Sequence, residues 1–210
     1  MNARRQFAVG LALPILLLVS CGRNEDDTML GPSRALGVVL AGETALAAGT
    51  KKQVVLILPR WGANSTAAES FKAELRKRDL IVASTLLAEV GDPMGRSAPG
   101  MKAEDFFDAL EKGAGAGAIV SLAGAPLLDA SDMARMNSNQ TPVLVVASRS
   151  LGNVVGVPAD GNYLAGLVDA RVVQLAIVDG NSEPSAAPAG KTDATQQLFF
   201  QHYYIFRSHH

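Results

Sequence analysis

From Gln53 to Ala147 the chain alternates short apolar runs with amphipathic stretches, and few architectures accommodate that alternation. Val54-Val55-Leu56-Ile57-Leu58 is an unbroken, β-branched-rich run, the pattern of a strand covered on both faces. Thr66-Ala67-Ala68-Glu69 has the form of a capping box opening a helix. Ala68, Phe71 and Leu75 fall on one face of that helix, and Glu74 can pair with Arg78 four residues on. Leu80–Thr85 reads as a second strand, and Ala103–Lys112 as a second helix with Phe106, Phe107 and Leu110 inward and Gly113 as its stop. Ala118–Leu122 is a third strand, and Pro126 suits the first position of a short helix toward Met136. Val143–Ala147 is a fourth strand and Val154–Val157 a brief further one. Strands alternating with helices at this spacing predict an α/β fold built on a doubly wound, mostly parallel sheet.

The flanks are less regular. Arg23–Asp27 and Gly31-Pro32-Ser33 read as a short flexible tether. Leu36–Ala48 is apolar and small, compatible with a helix or a strand-turn. Asn162–Val178 is expected as one helix, the alternative being a helix to Ala170 and a strand over Val172–Val178; no clean face decides between them. Residues 181–197 are rich in Ser, Ala and Pro and read as a loop. Residues 198–210 hold three of the chain's seven Phe and two of its three Tyr, so a final strand returning to the sheet is expected. The organisation is then a signal segment at 1–20, a tether and unassigned stretch at 21–50, an α/β domain at 51–180, the loop, and the aromatic strand.

The N-terminus indicates location. Arg4 and Arg5 precede an uncharged run from Phe7 to Val19, closed by Leu18-Val19-Ser20-Cys21. Charge, apolar stretch and small residue before a cleavage point form an export signal. The tetrad resembles the bacterial lipobox, which implies acylation of Cys21, the one cysteine in 210 residues. With Cys21 acylated no thiol remains for a disulfide or a metal site. Gly22 rather than Asp follows, which in the lipoprotein sorting rule leans toward the periplasmic face of the outer membrane. Arg4-Arg5-Gln6-Phe7 also resembles a twin-arginine core, with an ordinary Sec signal as the alternative.

Charge and histidine placement exclude several classes. Apart from Arg76-Lys77-Arg78 there is no basic run, and a helix's last turn accounts for that one through the helix dipole. Nucleic acid, which requires a clustered cationic surface, is not an expected partner. His202, His209 and His210 all lie at the extreme C-terminus, which disfavours both a Ser-His-Asp arrangement and a His-rich metal site. No catalytic residue, metal ligand or cofactor is assigned. The glycines from Gly113 to Ala118 end a helix and enter a strand, the reverse of a dinucleotide fingerprint, so cap and close packing explain them.

In an open α/β sheet, ligands bind beyond the carboxyl ends of the strands. Arg60-Trp61-Gly62-Ala63-Asn64-Ser65 follows the first strand, and Glu89 and Asp92 follow the second. Gly124-Ala125 follows the third, Arg149-Ser150 the fourth, and Pro158 to Asn162 the brief one. The sole tryptophan, Trp61, could stack on a sugar face, with Arg60, Asn64 and Asp160 as polar contacts. The structural alternatives are that Trp61 covers the following helix, that Asn64 and Ser65 cap it, and that Asp160-Gly161-Asn162 is a turn.

Val54–Leu58, the Arg60–Ser65 loop and the helix holding Phe71 are similar to the start of type I periplasmic substrate-binding proteins. Val157 to Gly166 is similar to a hinge-proximal stretch of that family, with altered spacing. The family has two lobes closing on a ligand, whereas the α/β core here, about 130 residues, is enough for one lobe and part of another; the resemblance implies Trp61, Asp160 and Asn162 as ligand contacts. The resemblance implies a binding protein reduced to a single lobe, or a flavodoxin-like module sharing its architecture. The function expected is a membrane-anchored lipoprotein binding a small polar, sugar-like ligand, with a transporter or envelope protein as partner. Two alternatives stand beside it. One is an envelope interaction module docking through the aromatic C-terminal strand or an exposed sheet edge; the other is a carboxylate-dependent hydrolase drawing on pairs such as Glu104/Asp105 or Asp129/Asp132.

Overall fold

A computed structural model describes residues 25–90, 100–136, 141–147, 163–180 and 193–207, with side chains from Leu30 onward. The elements in chain order are α1 (Glu25–Ala48), β1 (Gln53–Pro59), α2 (Thr66–Lys77), β2 (Ile81–Ala88), β3 (Met101–Lys102), α3 (Ala103–Lys112) and β4 (Ala118–Ser121). They continue with β5 (Pro126–Leu127), α4 (Ala130–Arg135), β6 (Val143–Ala147), α5 (Tyr163–Asp169), β7 (Leu175–Asp179), α6 (Ala194–His202) and β8 (Tyr203–Arg207). The main sheet has the order β2-β1-β4-β6-β7-β8. Its first five strands are parallel and β8 runs antiparallel to β7. The fold is thus α/β with a mostly parallel sheet.

The continuous apolar runs follow from two covered faces. Alternate residues along a strand point to opposite sides, so Val54, Leu56 and Leu58 enter one core with α1, α2 and α6. Val55 and Ile57 enter the other, with Phe106 and Ala109 of α3 and Leu167 and Val168 of α5. β4 divides in the same way, Ala118 and Val120 to the first core and Ile119 to the second.

The N-terminal reading needs correction. Where a tether through Gly31-Pro32-Ser33 is expected, α1 is a 24-residue helix that contains Pro32. Leu36, Leu40, Thr44 and Ala48 recur every fourth residue and are buried, with Ala35 and Ala41 beside them. The Thr44 hydroxyl donates to the Leu40 carbonyl at 2.7 Å, which satisfies the buried polar group. At Gly37 a built Cβ would lie 2.5 Å from the Ala67 carbonyl oxygen and 2.7 Å from the Phe71 nitrogen, so glycine permits backbone-close packing on α2.

Other boundaries differ for local reasons. α2 is capped by Ser65, whose Oγ accepts from the Ala68 N–H at 3.3 Å, one residue earlier than the capping-box pattern suggests. Pro126 starts no helix: Pro126–Leu127 pairs with Met101–Lys102 in a two-stranded ladder, and α4 begins after Asp129 in a capping box with Asp132. The single helix expected over Asn162–Val178 is instead α5 followed by β7, broken at Arg171, which adopts φ +57°. The expected C-terminal strand is a helix and a strand: Asp193 and Gln196 form a capping box for α6, and only Tyr203–Arg207 is extended. Gly113 caps α3 and Gly117 packs against Ala48 and Lys51, as the glycine run suggests. The brief strand at 154–157 lies outside the described residues.

Candidate functional site

All five parallel strands end on one side of the sheet, which gathers the loops that follow them. α2 crosses to the face holding Phe71 and Leu75, and α3 to the opposite face holding Phe106. The chain therefore diverges between the carboxyl ends of β1 and β4, the topological switch point at which α/β sheets open a crevice.

On the β1 side the Gly62 N–H donates to the Pro59 carbonyl at 3.0 Å, closing a turn with Arg60 and Trp61 at its corners. The Arg60 N–H donates to the Ala88 carbonyl at 3.1 Å and ties this turn to the end of β2. Trp61 is 72% exposed, so it does not cover α2. Ser65 performs the capping, while Asn64 stands exposed on the loop.

Arg60, which precedes Trp61 in the chain, leads into a row of charges. The Glu89 carboxylate accepts from Lys102 Nζ at 2.9 Å and lies 3.9 Å from Arg60 Nη2. The Glu89 N–H donates to Asp105 Oδ2 at 3.3 Å. The hydrogen bond from Lys102, and then the charges of Lys102 and Arg60, hold the Glu89 carboxyl below the ordinary carboxylate value. The same contact raises the Lys102 ammonium above its usual range. Glu89, Arg60 and Lys102 are all more than half exposed, so the row is a solvated polar rim and not a buried ion cluster.

On the β4 side Ser121 is buried; its hydroxyl donates to the Gly124 carbonyl at 2.8 Å and accepts from the Ala123 N–H at 3.2 Å. Gly124 adopts φ +98°, which L side chains rarely do. The half-buried Tyr163 hydroxyl donates to the Pro126 carbonyl and accepts from the Leu128 N–H, each at 2.7 Å, and so fixes the β5–α4 loop.

The structure thus brings Arg60, Trp61 and Asn64 together on one loop at the switch point. Asp160, Asn162, Asp92 and Arg149-Ser150 lie outside the described residues, as do Cys21 and the N-terminal signal. The placement of Lys102, Asp105 and Tyr163 at this edge was not apparent from sequence, because only the β3–β5 ladder and the packing of α5 carry them there. Asp129 and Asp132 serve as a helix cap, with backbone N–H donation from Asp132 lowering the Asp129 carboxyl. Among the described residues there is no group of three or more His, Cys, Asp or Glu placed to hold a metal ion.

No protein-family model matches the chain, and no curated protein matches it. Several solved structures are similar to it. One is an ABC-transporter solute-binding protein from Burkholderia graminis in complex with D-arabinose, at 16% identity and TM-score 0.47, covering 70% of this chain and 47% of that one. Another is a periplasmic ribose ABC-transporter protein from Conexibacter woesei, at 15% identity and TM-score 0.46, covering 70% and 45%. A third is a substrate-binding protein from Desulfitobacterium hafniense in complex with leucine, at 13% identity and TM-score 0.36, covering 80% and 46%. The chain spans less than half the length of each.

Proposed function

We propose that this chain is an exported lipoprotein, anchored through acylated Cys21, whose α/β domain binds a small polar, sugar-like ligand at the carboxyl edge of its sheet. The observation that carries the reading is Trp61, 72% exposed on the switch-point loop that also holds Arg60 and Asn64, with Arg60 lying 3.9 Å from Glu89. An uncovered ring amid polar groups suits a ligand with one apolar face and a hydroxyl periphery. Arg60 and Asn64 would orient that ligand, and Asp160 and Asn162 are proposed as further contacts. In this reading the chain works without a cofactor, and its partner is a transporter or another envelope protein.

Anchoring has a geometric corollary. α1 begins at Glu25, four residues beyond Cys21, and four residues span at most about 14 Å. An acylated Cys21 would hold the domain close against the bilayer. No helix among the described residues is long and apolar enough to cross a membrane.

The test is a thermal melt of residues 22–210 followed by tryptophan emission, alone and with pooled sugars and amino acids. A ligand at about 100 times its Kd stabilises the native state by about 2.7 kcal/mol, a shift of roughly 5 to 11 °C for a domain of this size. A raised melt with shifted emission supports a ligand at Trp61; a melt that no pool moves counts against the reading. Labelling with a fatty-acid probe should mark the wild-type chain and not Cys21→Ser. Because Glu89 titrates below the ordinary value of 4.5, affinity should stay level from neutral pH down to that value and change only at lower pH, as protonation releases Lys102 and Arg60.

A further inference from the structure

Contacts along α1 fix the direction in which that helix crosses the sheet. At its C-terminal end, Ala48 lies so close to Gly117 that a built Cβ there would sit 2.7 Å from the alanine Cβ, just before β4 begins. Nearer its start, α1 meets the first turns of α2, which leaves the carboxyl end of β1. The Ser70 hydroxyl donates to the Arg34 carbonyl at 3.0 Å, and Gly37 packs on Ala67 and Phe71. β8 gives the same sense. It starts at the carboxyl edge, where Tyr203 pairs with Asp179 and its side chain is hydrogen-bonded to Ser33; it ends with Arg207 on Glu43 at 2.7 Å. α1 therefore runs from the carboxyl edge of the sheet to the amino edge.

Lengths then decide which edge an anchor at Cys21 presents to a bilayer. Ser33 and Arg34 stand level with the strand ends, and the turns of α1 from Glu25 to Pro32 overhang them by about 12 Å. The amino edge is the whole helix away, about 36 Å from Glu25. Four residues reach at most about 14 Å, too little to carry Cys21 back to the amino edge. The carboxyl edge, with Trp61, is the one turned toward the anchor. The side chains suit that direction. Leu30, 44% exposed, lies on the overhang, and Trp61, 72% exposed, on the β1–α2 loop. Tryptophan is enriched at membrane–water interfaces, where its ring is apolar and its N–H finds a polar partner. Among the described charges near Arg60, Arg60 and Lys102 are matched by Glu89 and Asp105, so that row opposes no approach to an anionic leaflet.

We propose that the carboxyl edge rests on the bilayer that holds Cys21, and that the sugar-like ligand of Trp61 is the headgroup of a lipid in that bilayer. The inference rests on the anchoring and ligand reading above and names the source of the ligand. Two arguments select a membrane-borne ligand over a free one. The tether leaves from the edge that carries Trp61, so the site and the headgroups face each other across a short gap. Burial adds the second: pockets for free small ligands enclose about 70–90% of the ligand surface, whereas Trp61 stands mostly uncovered. A weak contact of that kind suffices for a ligand confined to the same membrane, because a short tether supplies an effective concentration of about millimolar. A free sugar gains nothing from the tether.

The test uses the acylated protein in phosphatidylcholine vesicles, read by the emission of its one tryptophan. Flotation of the wild type but not of Cys21→Ser checks the anchoring reading by itself. With a nitroxide on part of the lipid headgroups, Trp61 should lose roughly half of its emission, as a ring at headgroup level does. A chain carrying Trp61→Phe and Leu46→Trp moves the indole about 18 Å along α1 from Arg34, toward the amino edge, and should keep its emission. Leu46 is 75% exposed, so this substitution leaves the core intact. Replacing part of the phosphatidylcholine by a glucosyl diacylglycerol should shift Trp61 emission to the blue, and free glucose at the same bulk concentration should not. A wild type that floats yet is quenched no more than the Leu46→Trp chain overturns the proposal and leaves anchoring standing. A shift with free glucose as large as with the glucosyl lipid overturns the lipid source and leaves the ligand reading standing. A glucosyl lipid that shifts nothing overturns the proposal too, and a wild type that does not float removes both anchoring and the proposal.

Discussion

At one margin of the sheet α6 and β8 concentrate Phe199, Phe200, Tyr203, Tyr204 and Phe206, while at the other β2 carries only aliphatic residues, alanine, serine and threonine. By composition the aromatic margin is the one to expect at an interface. Its aromatics instead close inward. Phe199 is fully buried, stacked on Tyr203 at 5.3 Å and edge-on to Phe200 at 5.0 Å. Arg207 reaches Glu43 of α1 at 2.7 Å, and the Gly180 N–H donates to the His202 carbonyl at 2.9 Å. β8 is also short and ends in a charge, whereas β2 is longer and uncharged, and among the described residues no strand pairs with its outer side. The packing of neighbouring elements, and not aromatic content, decides how far the side chains of each margin are exposed.

The most damaging way to probe this contrast is Phe199→Ala. Loss of a buried ring and the cavity it leaves should cost about 3–5 kcal/mol, seen as a melting temperature lowered by roughly 6 to 20 °C. A loss near that of a surface substitution would mean that the aromatic margin is not closed and would reverse the comparison. Next in size is Gly37→Ala. α1 lies against α2 on one side and α6 on the other, so it buttresses both margins. A methyl set against the Ala67 carbonyl should cost about 1–3 kcal/mol by overpacking. Chemical denaturation would read it, with an unchanged m-value showing that the two-state transition persists.

How far each region was legible from sequence follows the same physics. The central strands were visible because two covered faces demand unbroken apolar runs, as in Val54–Leu58. α1 was legible only in part: Leu36–Ala48 read equally as a helix or a strand-turn because small residues such as Gly37 make its close contact with α2, and Gly31-Pro32 imitates a breaker. α6 was hidden because its aromatics suggested a strand, while the Asp193/Gln196 capping box lay inside a stretch read as loop. The division of residues 162–178 turned on Arg171 in the left-handed region, which no side-chain pattern announces. At the candidate site, Arg60, Trp61 and Asn64 were legible since they directly follow a recognisable strand. Lys102 and Asp105 were not, because their approach to Glu89 depends on Val90 bridging to Met101 and on the β3–β5 ladder.

Smaller effects sharpen the contrast between closed and open margins. Arg207→Ala should destabilise by about 1 kcal/mol or less, since the arginine is half exposed although Glu43 is mostly covered. Raising the salt concentration should shrink the difference between the two proteins, as expected of a partly screened pair. Within α2, the Glu74 carboxyl is lowered by hydrogen bonds from Lys77 and then Arg78. A carboxyl with a depressed folded pKa contributes stability above its unfolded value, and that contribution is lost as pH falls through the folded one. Glu74→Gln should therefore remove, at neutral pH, an increment of about 0.5 kcal/mol that the wild type loses only below pH 4.5.

The smallest expected change in stability is at Trp61. A side chain that is 72% exposed contributes little to the core, so Trp61→Ala should move the folding free energy by no more than about 0.5 kcal/mol. If the switch-point reading is right, the same substitution removes ligand-induced stabilisation altogether. Trp61→Phe should restore part of it, because a smaller ring retains some stacking area. If Trp61→Ala instead lowers the melting temperature as far as Phe199→Ala does, Trp61 is part of the core and the carboxyl edge loses its candidate site.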